Sequence, residues 1–425
     1  TLEWLTTHAT DHEDTAHAFS AMLLNGHDLL SAYFSVRKHL ALFKQLSQLV
    51  EAESDTATML VCLLEIGFAY DMLNEHPLAM VTHKRRIALA RLIGDYEALL
   101  LSRRFVALAY SETGQKHKAE RWVLDSLEQS RQLKFAEEEV WCLLYLTLFM
   151  IDNGDWEQAD HYISSAHAVV TQIRHVNPEQ LLSVHKFLGV LKNDSGDPAA
   201  SIPHLEKALS IAHATGRHTR IVEAMNAIAI SYDNLGDFER AHHCYTQALT
   251  LAEQTNNRRW RAYLLHDMGN SYYLQAKYET ACDHLEEAIS LLLEASNEYW
   301  ACFAMTKLVF TYTALDMPEK AHHCLHKCTL MLPRLQSDRL YALVITAAVK
   351  FLAHTGSKLD MIYIATRWAG FVYHMPQADN DAMVEISKIR TNLESVLGAE
   401  QVKQLMTEGQ MLTKEDITNH ILNRL

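Results

Sequence analysis

The residues best equipped for chemistry in this chain are its histidines and cysteines. Ala241-His-His-Cys244 is echoed by Ala321-His-His-Cys-Leu-His-Lys-Cys328. His322 and His326 are four apart, as are Cys324 and Cys328, so on a helix each pair shares a face, as metal ligands can. The two pairs point to different faces, however. That pattern describes two exposed histidines and a core thiol better than a zinc site, and no metal is expected. Catalysis has less to work with. Neither Gly-x-Ser-x-Gly nor His-Glu-x-x-His occurs, and no Gly-x-x-x-x-Gly-Lys-[Ser/Thr] loop could cradle a phosphate. Glu137, Glu138 and Glu139 crowd near a helix end, where solvation accounts for them. The chain is expected to be no enzyme and to need no cofactor. One basic run, His83-Lys84-Arg85-Arg86 with Arg91, reads at helical spacing as a solvated face. The formal charge of -14 speaks against direct nucleic-acid contact, because phosphate binding depends on clustered Lys and Arg.

Cysteine usage and apolar runs bound the setting. The 7 cysteines form an odd set without Cys-x-x-Cys spacing, as in a reduced, cytoplasmic protein. The longest strongly apolar run, near Leu143–Ile151, is too short to span a bilayer, so no membrane contact is expected. The first residues are acidic and lack a signal-peptide core. Thr1 opens the chain inside helical-looking sequence, so we expect a piece of a longer protein.

The elements that must position any site are repeats. Gly114-Gln-Lys-His-Lys-Ala119 recurs as Gly154-Asp-Trp-Glu-Gln-Ala159, Gly196-Asp-Pro-Ala-Ala-Ser201 and Gly236-Asp-Phe-Glu-Arg-Ala241. Weaker copies end at Ala79, Ala281, Ala321 and Met361. The step between these anchors is 40 residues, except for 42 between Ala159 and Ser201, where Pro178 lies. Nine residues before the anchor stand Tyr70, Tyr110, Tyr232, Tyr272 and Tyr312. Twelve before it stand small residues such as Gly67, Gly189 and Gly269. Seven after it stand Ser126, Ala166, Ala208, Ala248, Ala288 and Cys328. Small side chains let two helix backbones approach, and each helix pair leaves an apolar face that only a neighbouring pair covers. Gly at the turn suits a helix end that needs a left-handed residue, and the Asp after it suits an N-cap.

These columns resemble the tetratricopeptide repeat. The segment Asn226–Leu249 matches best, with Ala229, Tyr232, Gly236, Ala241, Tyr245 and Ala248 all in place. The resemblance implies an all-α fold, a right-handed α-α superhelix (a tetratricopeptide-like solenoid) of about nine helix pairs with about 40-residue units. It departs from the family in unit length, 40 rather than 34, so its helices are nearly a turn longer. We expect an irregular N-terminal helix pair over 1–54, eight repeats over 55–375 and capping helices over 376–425. The long unit and the ending Leu393–Leu422 look like the C-terminal part of bacterial STAND-type signal-transduction ATPases, many of them transcription regulators. That resemblance implies a superhelical sensor arm for an inducer, with any ATPase in a segment outside this chain.

In tetratricopeptide stacks the first helix of each unit lines the concave surface. Its inward positions, about 15, 11 and 8 residues before the anchor, nominate Arg104, Lys186, Asn226, Asp233, His266, Asn270 and Tyr273, with Tyr263 one turn before His266. Leu64, Phe68, Leu144 and Leu148 make the same face apolar in two other units. Asn226 and Asn270 both donate and accept, which suits an extended peptide backbone. The expected partner is a protein or peptide, or a small-molecule inducer, or the chain's own upstream domains. A Lys/Asn carboxylate clamp is not expected, since Val190 stands where a partner Asn for Lys186 would be. A free-standing adaptor or peptide receptor is the alternative to a sensor arm.

Overall fold

The computed structural model of the chain describes residues 36–424, apart from 54, 74, 114, 154, 296, 336, 356–358 and 376–379. Most of the irregular N-terminal pair lies outside the described residues, as do the turn residues Gly114 and Gly154. All regular structure among the described residues is α-helix. After α1 (Val36–Glu53), first and second helices alternate. The pairs are α2 and α3 (Thr56–Met72, His76–Ile93), α4 and α5 (Tyr96–Glu112, Lys116–Leu133), and α6 and α7 (Ala136–Asn153, Trp156–Gln172). They continue as α8 and α9 (Pro178–Asp194, Pro198–Ala214), α10 and α11 (His218–Asn234, Phe238–Gln254), and α12 and α13 (Arg258–Leu274, Tyr278–Glu294). The last are α14 and α15 (Glu298–Ala314, Pro318–Leu335) and α16 and α17 (Asp338–Thr355, Leu359–Tyr373). Three further helices follow: α18 (Asn380–Leu397), α19 (Ala399–Gly409) and α20 (Lys414–Arg424).

Two compact units divide between Leu146 and Thr147, inside α6. Within each, a first helix packs on its own second helix, and first helices of neighbouring pairs touch more closely than second helices do. The first helices therefore form the inner side of the stack in each unit.

The turn chemistry follows from the sequence. Asp155, Asp197 and Asp237 each accept a backbone N–H three residues on, at 3.1, 3.0 and 3.2 Å, and so start α7, α9 and α11. Gly196 and Gly236 precede two of these caps with φ of 93° and 75°. Ala276 and Asp316 hold the same left-handed place with φ of 57° and 56°, so here the period overrides the preference for glycine. The small column is a set of close approaches. A Cβ added at Gly189 would lie 2.5 Å from Leu205, and one at Gly269 would lie 2.7 Å from Leu285.

Two features depart from simple repetition. Residues 301–313 of α14 are buried on every side, because α13, α15 and α16 pack around it in one large core that continues into the C-terminal helices. Farther on, α17 and α19 cross at Gly370 and Gly409 with backbones nearly touching. A reciprocal cap starts α20. The Thr413 N–H donates to Asp416 Oδ2 at 3.0 Å, and the Asp416 N–H donates to Thr413 Oγ1 at 3.1 Å.

Candidate ligand-binding face of the first helices

Stacking brings the inward face of α10 against α12. Asn226 Nδ2 donates to Asp267 Oδ2 at 2.8 Å. A carboxylate only accepts, so this contact orients the amide and leaves Asn226 Oδ1 facing elsewhere, buried and with no hydrogen-bond partner. His266 Nδ1 lies 2.9 Å from Asp267 Oδ1, and by the same reasoning carries the proton. Its Nε2 is likewise buried and unpartnered. Aromatic rings continue the wall onto α14: His266 sits 5.3 Å from Phe303, and Tyr263 sits 5.0 Å from Trp300. Tyr263 Oη accepts from Arg259 Nε at 2.9 Å and Asn297 Nδ2 at 3.1 Å. Asn270, half-buried, lies one turn beyond His266 on the same face. Tyr273 comes next and receives Lys350 Nζ from α16, which also donates to Glu385 on α18 at 2.8 Å. Burial works to raise the Glu385 carboxyl, but Lys350 and Lys388 outweigh it and hold it below the usual range.

Three of the nominated residues are occupied by the fold itself. Lys186 lies 3.6 Å from Glu223, which also takes Arg220 at 2.7 Å. Burial pushes the Glu223 carboxyl up, yet the two cations bring it below its ordinary value. Asp233 faces no open surface, contrary to the expectation for its position. Its oxygens accept from Tyr245 Oη at 2.9 Å and Ser271 Oγ at 2.7 Å, tying α10, α11 and α12 together. Burial raises its carboxyl to about 6, against the pull of those two hydroxyls. Arg104 stands in the other compact unit. Its guanidinium lies 4.8 Å from the Trp141 ring and 3.4 Å from Glu138 Oε2. Burial keeps that glutamate above its usual range despite the arginine. The structure thus brings together Asn226, Tyr263, His266, Asn270 and Tyr273, all in the second unit.

The nominations missed Asp267, Trp300, Phe303 and Lys350. Lys350 was within reach, since it stands eleven residues before Met361, where Asn270 stands relative to Ala281. Asp267 directly follows a nominated residue. The basic run is corrected by half. Lys84 and Arg85 are exposed, but His83 and Arg86 are buried. Arg86 takes the small column's place and donates to Leu60 O at 2.8 Å, Ala98 O at 2.9 Å and Ser102 Oγ at 2.7 Å. His83 fills the space left by Gly67 and stacks on Phe105 at 4.9 Å. In the His/Cys cluster, Cys328 is a core thiol donating to Cys302 O at 3.8 Å. Among the described residues no three His, Cys, Asp or Glu side chains are placed to hold a metal. None of the described helices is long and apolar enough to cross a membrane.

Residues 180–254 match the tetratricopeptide-repeat family model. No curated protein sequence matches the chain. Among solved structures, a Rap protein complexed with competence and sporulation factor superposes with a TM-score of 0.61 at 14% identity, covering 82% of this chain and 98% of that one. The quorum sensor NprR from B. thuringiensis, in its apo form, gives 0.51 at 14% identity, covering 83% and 98%. A STAND protein with a tetratricopeptide-repeat sensor from Pyrococcus horikoshii gives 0.47 at 15% identity, covering 88% of this chain and 55% of that one. The chain is a helical solenoid that resembles tetratricopeptide-repeat proteins, and at these identities the likeness is one of fold.

Proposed function

We propose that the chain is a non-enzymatic binding superhelix whose first helices α10, α12 and α14 receive an extended peptide or protein segment. One observation carries this reading. Asn226 and His266 both bond Asp267, which joins α10 to α12 on this face, and the rings of Tyr263 and Trp300 lie beside them. Polar side chains interleaved with aromatic rings suit an extended segment, whose backbone N–H and C=O groups need partners. A peptide backbone presents those groups at regular spacing, and Tyr263 and Trp300 offer rings for its side chains.

In this reading the chain is the sensor or regulatory arm of a larger bacterial, cytoplasmic signalling ATPase or transcription regulator, with 1–54, 55–375 and 376–425 as lead-in, repeats and cap. The second reading, a free-standing peptide receptor, draws on the comparisons. The Rap and NprR structures are matched over 98% of their length, and that Rap protein is complexed with competence and sporulation factor. The coding sequence separates the two: a phosphate-loop motif upstream of Thr1 supports the arm, and a start codon there supports the receptor.

The site is tested with a peptide selected on the intact chain from a random phage-displayed library. Asn226→Ala with Asn270→Ala should weaken its binding roughly a hundred-fold, as expected for two lost hydrogen bonds. His243→Ala with Glu287→Ala, on second helices, should leave it unchanged. Normal binding by the first pair and loss by the second would place the ligand on the outer side.

A further inference from the structure

The helix α3 has two working faces. Ala79, His83, Arg86, Ile87 and Ala90 are buried in the core of the first unit. On the opposite side Leu78, Val81, Arg85, Ala88 and Leu92 are all exposed. Their spacing alternates three and four residues, which is the seam of a heptad repeat rather than scattered surface chemistry. The apolar members are well out of the protein: Leu78 is 47%, Val81 65% and Leu92 82% exposed. An exposed seam of this kind is not a property of the repeat. In α11 the same five places hold Arg240, His243, Gln247, Thr250 and Gln254.

The seam runs into a pocket of about 400 Å3 between α1, α2 and α3, with Val50, Met59, Leu89 and Leu92 in its lining. Its counterpart one helix pair beyond α11, lined by Ala252, Arg261, Leu291 and Glu294 among others, holds only about 180 Å3. There Arg261 pairs with Glu287 and Glu253, so the groove is closed by charges. In the first unit Met59 and Leu92 stand where Arg261 and Glu294 stand in the second, and the groove is left apolar. Its charged lining is at the rim: Arg85 pairs with Glu51 at 2.6 Å, and Asp55 lies at the start of α2.

Charge says which helix fits. The sequence of α3 contains no Asp or Glu, in a chain of formal charge -14. Lys84 and Arg91 occupy the same flanking position of two successive heptads, directly before Arg85 and Leu92; Lys84 uses one N–H on Tyr110 Oη at 2.9 Å and keeps two. In helix pairing that position selects the opposite charge on the partner. We propose that the outer seam of α3 is a docking surface for an acidic amphipathic α-helix of a partner protein. Its apolar stripe lies along Leu78, Val81, Ala88 and Leu92, one large side chain fills the pocket beside Met59, and its carboxylates face Lys84 and Arg91. The surface is separate from the inner wall proposed above and involves none of its residues.

The test titrates the intact chain into a fluorescent 21-residue probe helix, Leu at its heptad seam positions and Glu at the flanks, with a twin carrying Lys for Glu. Saturable binding of the acidic probe and none of the basic twin is expected. Leu92→Glu should weaken it at least about tenfold, as for a pocket-filling anchor, and Lys84→Glu with Arg91→Glu should do so more steeply at low salt. Circular dichroism of each variant checks that the chain stays folded. Failure of the probe to bind, or binding that survives Leu92→Glu in a folded chain, overturns the proposal. So does a change of the chain's own mass in solution on Leu92→Glu, which would make the occupant a second copy. Binding to phosphatidylserine vesicles in place of the probe would make it a membrane.

Discussion

Asp233 gives the inner core of the second unit a pH signature. Its carboxyl titrates near 6 in the fold against an ordinary 3.8. Between those values the folded chain holds a proton that the unfolded chain releases. The contribution is therefore full below about pH 4 and is lost as pH rises through 6, a change of about 2–3 kcal/mol. Asp233→Asn should erase that slope, read as the difference between wild-type and variant urea melts across pH 4 to 7. Parallel curves would show that the carboxyl is not desolvated as described. Ala276 makes a second residue-scale case. At φ 57° its methyl is in a conformation that glycine adopts freely, so Ala276→Gly should stabilise the chain by roughly 0.5–1 kcal/mol. At this scale the sequence was read best where the period speaks. The period sets Asn226 and His266 on the inward side of their helices, but three positions per helix sample that side too coarsely to include Asp267, which bonds both. His83 and Arg86 were misjudged because charge in a sequence points to water. Nothing in the residue types shows that Gly67 leaves room for a ring, or that Leu60, Ala98 and Ser102 offer acceptors to a guanidinium.

Helix pairing rests on residues too small to hold helices apart. Ala248, fully buried in α11, should lose about 1–3 kcal/mol on change to Leu through overpacking, while the exposed Gln247→Ala should stay within about half a kcal/mol. Equal urea midpoints would mean the register of this pair is wrong. The crossing of α17 and α19 is less forgiving. A Cβ at Gly370 would lie 2.1 Å from Met406 O, and backbone cannot rotate away as a side chain can. Gly370→Ala should therefore cost about 3 kcal/mol or more, or release α19 from α17, seen as early amide exchange in that helix alone. Helix boundaries were legible because caps and left-handed turns recur with the period. Burial of α14 was not. Its sequence is apolar on all sides, which in isolation describes a poor surface helix, and only the surrounding α13, α15 and α16 explain it.

For the whole molecule, a near-constant period suggested one continuous stack, yet the chain forms two compact units that divide inside α6. A 40-residue unit repeats on both sides of that division, so the sequence carries no mark of it. The consequence for function is that Arg104 belongs to one unit, and the five residues gathered on α10 and α12 belong to the other. The proposed ligand sits on the first helices of the second unit. Hydrogen exchange of the intact chain, with and without a library-selected peptide, tests this most directly. Slowed exchange is expected in α10, α12 and α14, with α11 and α13 unchanged, and that footprint should be lost in Asn226→Ala with Asn270→Ala. Protection confined to α11 and α13 would contradict it.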